Sequence, residues 1–409
     1  MEQSPPQHFG PALWALAGLL LLTLIFRSGI LLLVALLVGT TILAAYLWGR
    51  YSLNRLEYRR AFDRPRCFVG EEVALTVVVT NRKLLPVTYL TVSDTVPDEL
   101  VIESQRLQFS RKGKGLLELA FGLSWYEMVV RRYRVTPVRR GFYQLGPATL
   151  VAGDPFGYVK QYQELPDPET LIVYPRVVPL DRLGIPTRRP FGDLKSRNRL
   201  FEDPMRFAGV REYQPGDPLS RVHWKASAGS GRLQVKLLDP STNLGLAVFL
   251  NNWAYDRFWE GSMEQSLETG CMLAASIVNW AGDEGLSVGL YANGLTAGWG
   301  MDLRLPTARG PHVLPQALEG LARLGNPSRT AIAALLADEA PRVGYGTSVV
   351  VITSHLNEEL AGAMLKVHRS GRPVTLVLTG TAEIDLPRLP GIQVYEVPGE
   401  EALHAAVLA

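Results

Sequence analysis

Two uncharged apolar runs at the N-terminus constrain this chain more than any other feature. Residues 11–26 read PALWALAGLLLLTLIF and residues 30–48 read ILLLVALLVGTTILAAYLW, separated by Arg27, Ser28 and Gly29. A bilayer core takes about 20 apolar residues per helix. The second run meets that length, and the first meets it if Phe9 and Gly10 join it. The pair predicts a two-span helical hairpin over residues 1–49. A signal peptide is disfavoured, because residues 1–10 hold no Lys or Arg and the apolar run is long and at once repeated. After Trp48 stand Arg50, Arg55, Arg59, Arg60, Arg64 and Arg66, against only Glu57 and Asp63. Positive flanks stay in the cytoplasm. Both termini and all that follows residue 49 are therefore expected there. Residues 50–65 read as a basic linker able to touch anionic head groups.

The rest of the composition excludes several classes. With 42 basic and 39 acidic residues the formal charge is only +3, which argues against a chain that binds polyanions through its global charge, and no nucleic-acid partner is expected. Cys67 and Cys271 fall in different predicted domains, which excludes a disulfide framework and a cysteine zinc site. The six histidines have no pair at ligand spacing. No phosphate-binding G-x-x-x-x-G-K-[ST] loop and no G-x-G-x-x-G is present, and the letters G-x-S-x-G, at Gly285–Gly289, fall where a strand is expected to begin and form no nucleophile elbow.

Residues 66–176 change to a period of two. Residues 72–81, 87–92, 116–123 and 126–138 read as strands, with turns at Asn81, Pro86, Pro97, Gly113, Gly141 and Gly146. Short strands with regular turns predict an Ig-like β-sandwich. Arg140-Gly141-Phe142-Tyr143 and Asp154-Pro155-Phe156-Gly157 read as tight turns.

Residues 177–240 are basic. Between 182 and 236 twelve Lys or Arg face five acids, and the stretch contains REYQPGDPLSRVHWKASAGSGRLQVK. Pro215-Gly216-Asp217-Pro218 forms a turn, with Asp217 able to cap a following helix. Residues 219–226 suit one or two helical turns, with Arg221 and Lys225 on one face. Two uses of this block are open. Arg211, Arg221, Lys225 and Arg232 can present cations to an acidic partner, with Asp217 ordering the turn through one arginine. Alternatively Tyr213, Pro215, Trp224 and Leu233 pack a domain junction and the charges form a local network. An acid–base trio of Asp217, His223 and Lys225 lacks any specified pocket.

These motifs together (RGFY, DPFG, Tyr174-Pro175-Arg176 and REYQPGDPLSRVHWKASA) resemble the bacterial domain-of-unknown-function family 58. The resemblance implies a membrane-anchored β-domain followed by a von Willebrand factor A-like domain. It further implies a setting at the bacterial cell membrane beside MoxR-type AAA+ ATPases and transglutaminase-like membrane proteins. It implies no enzymatic activity.

Residues 241–409 read independently as α/β: strands at 244–250, 286–292, 348–353, 374–378 and 393–397, with helices at 262–281, 311–324, 328–340, 356–369 and 400–408. Such alternation predicts a doubly wound parallel sheet. Residues 294–310 suit a hairpin or an excursion. The A-domain likeness raises a Mg²⁺ loop after the first strand, Asp-x-Ser-x-Ser, with a distant threonine and aspartate. Here the loop reads Asn251-Asn252-Trp253-Ala254-Tyr255, with Thr330 as the threonine and Ser354 or His355 at the second aspartate. Mg²⁺ wants hard oxygen ligands, and Trp253 offers none. No metal and no cofactor are expected. Trp253, Tyr255, Phe258 and Trp259 either form an interaction rim or fill the loop junction.

The sequence thus points to a non-enzymatic, membrane-anchored interaction protein. The interaction candidates are Arg211, Tyr213, Gly216, Asp217, Arg221, Trp224, Lys225, Arg232, Trp253 and Tyr255, and the partners are a MoxR-type ATPase and the bilayer. The alternatives are a metal-dependent adhesion module and a hydrolase using the basic segment.

Overall fold

A computed structural model describes residues 10–103, 108–110, 114–186, 190–191, 202–240, 245–253, 255, 264–344, 346–380 and 389–398. It divides into two units, Met1–Val173 and Tyr174–Ala409. The expected terminal helix at 400–408, Phe258 and Trp259 lie outside the described residues.

The first unit opens with α1 (Gly10–Phe26) and α2 (Gly29–Tyr51). Their lengths follow from the two apolar runs, with the break at Arg27, whose φ is +50°. At 1.5 Å per residue α2 is about 35 Å long and α1 about 26 Å. Among the described residues α2 is the one helix long and apolar enough to cross a membrane.

Twelve strands follow: β1 (Leu56–Phe62), β2 (Arg66–Phe68), β3 (Val73–Asn81), β4 (Val87–Pro97), β5 (Leu100–Ile102), β6 (Gln108–Ser110), β7 (Lys114–Leu123), β8 (Met128–Pro137), β9 (Gly141–Leu145), β10 (Ala148–Gly153), β11 (Lys160–Leu165) and β12 (Glu169–Tyr174). They form antiparallel sheets ordered β1-β3-β8-β5, β11-β10-β4-β7-β6 and β2-β12-β9. The period-two pattern is the cause: Val73, Leu75, Val77 and Val79 of β3 and Leu90, Val92 and Val96 of β4 all enter one core.

The expected linker at 50–65 is corrected here, because residues 56–62 are β1, paired with β3 from Leu56↔Asn81 to Phe62↔Leu75. Its arginines hid the alternation of Leu56, Tyr58, Arg60 and Phe62. Arg60 takes an inward position and meets the inward Asp94 of β4 at 2.5 Å, with side chains only 6% and 1% exposed. Tyr58 Oη donates to Asp94 Oδ2 at 3.0 Å. The second Arg60 nitrogen donates to the carbonyls of Leu145 at 2.9 Å and Asp167 at 2.7 Å. One guanidinium therefore joins four segments across the core.

The two tight turns have structural causes. Tyr143 Oη donates to the carbonyl of Arg139 at 3.0 Å, and its ring lies where a Cβ on Gly141 would sit. Asp154 accepts from the backbone N–H of Phe156 at 2.9 Å and of Val159 at 2.5 Å, closing the DPFG turn.

In the second unit β13 (Glu202–Glu212) and β14 (Gln234–Pro240) form an antiparallel hairpin enclosing α3 (Trp224–Ser230). Then come β15 (Gly245–Leu250), α4 (Glu264–Asp283), β16 (Ser287–Thr296), β17 (Asp302–Ala308), α5 (Val313–Arg323), β18 (Leu324–Pro327), α6 (Ile332–Glu339), β19 (Thr347–Thr353), α7 (Glu358–Arg369), β20 (Val374–Thr379) and β21 (Gln393–Val397). The sheet runs β17-β16-β15-β19-β20-β21, with β18 on β16. All neighbours from β16 to β21 along that path are parallel, and β17 is antiparallel. Residues 294–310 are thus the β16–β17 hairpin. Ala247 and Phe249 of β15 face α6 and α7 in one core. Leu250 meets α4 at Gly270, where a Cβ would come within 2.8 Å of it. Helices therefore cover both faces, as expected of a doubly wound sheet.

The expected basic segment 177–240 is two things, not one. Its first part is an apolar strap over α4. Leu180, Leu183, Ile185 and Phe191 are buried. Val178 N–H donates to Ser276 Oγ at 2.9 Å, Phe191 stacks edge-on against Trp280 at 5.6 Å, and Tyr395 Oη donates to the Pro190 carbonyl at 2.9 Å. The cations at 188, 189, 195, 197 and 199 lie outside the described residues.

Candidate functional site

Two places gather the residues singled out from sequence: the tip of the β13–β14 hairpin, and the carboxyl ends of β15 and β19.

At the tip, Arg211↔Val235 and Glu212↔Gln234 close the strand pairing. Gln214 to Asp217 is a β-turn, with Asp217 N–H donating to the Gln214 carbonyl at 3.0 Å and Gly216 at φ +107°, a conformation that favours glycine. Asp217 does not cap a helix. It accepts both Arg211 terminal nitrogens at 2.7 Å and the Gln214 N–H at 2.9 Å. This fork-to-fork pair is the ordering arginine contact expected of Asp217. It draws the Asp217 carboxyl down to about 2, chiefly through the Arg211 hydrogen bonds.

The expected single helix over 219–226 is broken. A 3₁₀ turn at Leu219–Arg221 ends where Val222 is pulled inward to bridge Val235. Both valines are buried, so burial of one valine outweighs helix continuity, and Arg221 and Lys225 share no helix face. Helix α3 then starts afresh, with His223 Nδ1 accepting the Ala226 N–H at 3.0 Å as its N-cap. Ser227 Oγ accepts the Gln234 N–H at 2.8 Å and ties α3 to β14. Asp217 and His223 thus hold structural hydrogen bonds, and no acid–base pair is assembled between them.

The surface left by this bracing is mixed apolar and cationic. Trp224 is 67% exposed and Leu219 65%. Leu233, Arg221, Lys225 and Arg232 are exposed beside them in sequence. Trp224 and Leu233 are therefore not packed within the hairpin itself. Tyr213 is half-buried, and Arg232 reaches Glu212 at 3.2 Å. Leu219 is a member of the surface that sequence reasoning passed over, because an isolated leucine beside a proline carries no periodic signal.

At the sheet edge the chain reverses between β15 and β19, since α4 leads to β16 on one side and α7 to β20 on the other. Ligands of open α/β sheets bind at such a switch point. Here an amide network bridges it. Asn251 Nδ2 donates to Thr353 Oγ1 at 3.0 Å. Asn251 Oδ1 accepts from Asn293 Nδ2 at 3.0 Å and Trp253 N–H at 3.1 Å. Asn293 Oδ1 accepts the Asn252 N–H at 2.7 Å, and its Nδ2 also reaches the Thr330 carbonyl at 3.2 Å. Trp253 Nε1 donates to the Ser328 carbonyl at 2.9 Å. Trp253 is therefore half-buried and filling the junction, whereas Tyr255 is exposed. The side chain that meets Asn251 at the end of β19 is Thr353 rather than Ser354 or His355, and the expected threonine, Thr330, joins the network through its carbonyl. Asn293 and Ser328 went unrecognised in the sequence, because nothing local marks residues about 40 and 75 positions away as partners of one loop. These residues do not fit Mg²⁺: the Asn251 oxygen already accepts two hydrogen bonds, and among the described residues no three His, Cys, Asp or Glu side chains are grouped to hold a metal.

Residues 209–405 match the family described as Protein of unknown function DUF58. That segment of the chain carries the DUF58 family match. Its signature hairpin tip opens the matched region. A relative in Bacillus subtilis (strain 168), "Uncharacterized protein YeaD", is 25% identical over 62% of this chain and 61% of its own length. Two solved structures resemble a part of the chain. The CARDB domain of a Pyrococcus furiosus protein, described in complex with di-metal ions, matches 29% of this chain and 89% of its own at 17% identity and a TM-score of 0.19. A non-cellulosomal cohesin of Archaeoglobus fulgidus matches 29% and 91% at 11% identity and 0.20. At such scores the sandwich stands on its own strand pairing.

An acid titration tests the clasp. A carboxylate with a depressed pKa contributes stability above its unfolded value of about 3.9, lost as pH falls through its folded value. NMR of the tip amides should show the Arg211–Asp217 geometry intact at pH 4 and released only toward pH 2. The transition should vanish in Asp217→Asn. Release centred near the ordinary aspartate value would contradict the clasp.

Proposed function

We propose that the chain is a membrane-anchored docking protein that performs no chemistry of its own. In this reading α1 and α2 are two spans, and the sandwich and the α/β unit are cytoplasmic. The α/β unit is a von Willebrand factor A-like module without a metal site. The hairpin tip receives a MoxR-type AAA+ ATPase, in whose assembly or maturation work the chain takes part. A transglutaminase-like membrane protein is a further associate in this setting.

The observation that carries the reading is the exposed Trp224 on a braced tip, flanked by Arg221 and Lys225. Tryptophan and arginine in a fixed frame are what binding hot spots are made of, and cations beside them steer an acidic partner. Support for the partner class comes from the family resemblance, and for the module from the strand order and from Asn251 at the switch point.

Co-purification of the full-length protein from solubilised membranes tests it. An AAA+ ATPase should accompany the native chain, and the pair Arg221→Glu and Lys225→Glu should lose most of it. Arg211 is unsuited to this test because its charge holds the turn. Repeated absence of an AAA+ partner, or its undiminished retention by the charge-reversed chain, would defeat the proposal.

A further inference from the structure

Three loops of the first unit converge on the end of α2. Trp48 Nε1 donates to the Pro86 carbonyl at 3.1 Å. The buried Lys83 Nζ donates to the carbonyls of Ser52 at 2.5 Å and Asn54 at 2.8 Å. These bonds fix loop 82–86 to the helix terminus. Loop 124–127 joins it, since Asn81 Nδ2 binds the carbonyls of both Leu85 and Ser124, and Tyr126 N–H donates to the Lys83 carbonyl. The DPFG loop is fixed separately. Val159 lies against Gly49 so closely that no room is left there for a Cβ.

Each of these loops carries large exposed apolar groups: Leu84, Trp125 and Tyr126, Phe156 and Tyr158. A sandwich loop in water has no use for five such side chains at one end. Tyr158 lies beside the apolar helices themselves. It lines an apolar cavity of about 280 Å³ with Ala15, Thr41 and Ala45 among others. Ala45 stands six residues before the end of α2, about 9 Å along its axis. A 23-residue helix of about 35 Å exceeds a hydrocarbon core of about 30 Å by only a few ångströms. The level of Ala45 therefore falls at or just inside the membrane–water boundary, where tyrosine and tryptophan gather. Exposed Arg55 and Arg82 lie in the same connections.

We propose that this end of the β-sandwich is a membrane-docking surface, with Leu84, Trp125, Tyr126, Phe156 and Tyr158 inserted at the lipid head-group level around α2. The sandwich is then seated on the bilayer by its loops. This rests on the reading of α2 as a membrane span.

Site-directed spin labels in the full-length chain test it, reconstituted in vesicles of phosphatidylethanolamine and phosphatidylglycerol. The native Cys67 and Cys271 are buried, and Cys67→Ser and Cys271→Ser remove them if they label. Labels replace Trp125, Phe156, Val138 and Leu36 in turn. Val138 is exposed and follows the far end of β8, nine residues from Met128. Leu36 is exposed in the middle of α2. The expected result is a several-fold higher ratio of oxygen to water-soluble nickel collisions at 125 and 156 than at 138, approaching the ratio at 36. Water-like values at 125 and 156 with a lipid-like value at 36 would overturn the docking surface and leave the anchor standing. Water-like values at all four positions would overturn both.

Discussion

Replacing Arg60 by alanine should unfold the β-sandwich more readily than any other single change to a charged residue in the first unit, by about 3–5 kcal/mol, the range for breaking a buried ion pair. The cause lies in what remains. Asp94 is left in the core with one oxygen already lacking a hydrogen-bond partner, and the carbonyls of Leu145 and Asp167 lose their donor. Burial pushes the Asp94 carboxyl up, while Arg60 and Tyr58 draw it down. Without Arg60 only the weaker restraints of Tyr58 and the Thr95 backbone oppose burial. A carboxyl with a raised folded pKa is best tolerated below its unfolded value of about 3.9, and its contribution is lost as pH rises through the folded value. The variant should therefore be less impaired at pH 5 than at pH 8. Thermal unfolding of the full chain in detergent micelles, with amide exchange resolved on β1, β3 and β4, measures this. The double change Arg60→Met with Asp94→Leu should recover most of the loss, because it removes both charges and keeps apolar volume. Arg59→Ala, at an exposed position on the same strand, should cost at most about 0.5 kcal/mol. Equal effects at 59 and 60 would refute the role given to Arg60.

The second large effect is on association. Trp224→Ala should weaken partner binding by about 2 kcal/mol or more, roughly 30-fold in Kd. Its side chain is largely exposed, so its loss removes little from the tip's own packing, and Arg211–Asp217, Val222–Val235 and the His223 cap remain. Trp224→Phe should fall between the two. Binding of the proposed AAA+ partner, purified, to the chain in nanodiscs reads the affinity, and unchanged tip amide shifts show that the fold is kept. Full affinity in Trp224→Ala would remove the tryptophan from the interface.

Much of this architecture was legible in local patterns. Alternating valines announced the sandwich, uncharged runs the helices, and strand–helix alternation the doubly wound sheet. Pairings distant in sequence were not legible. Arg60 and Asp94 are 34 positions apart, and in a one-dimensional reading Arg60 was one more cation in a basic linker. The strap was hidden the same way: charges around it outnumbered Leu180, Leu183, Ile185 and Phe191, which do the packing. At the tip the turn and the Asp217–arginine contact followed from residue types. Whether Trp224 was buried or presented did not, since a seven-residue helix gives no stripe to read. Asn251 showed the missing carboxylate, yet its partner Asn293 belongs to a neighbouring strand whose register no local signal gives.

The docking role stands or falls on what touches residue 224 in the cell. A photo-crosslinking amino acid at that position, activated in intact membranes, should yield an adduct whose mass spectrum contains peptides of an AAA+ ATPase, and should yield none when Arg221 and Lys225 are reversed to glutamate. Reproducible absence of that adduct, or its persistence in the charge-reversed chain, would contradict it.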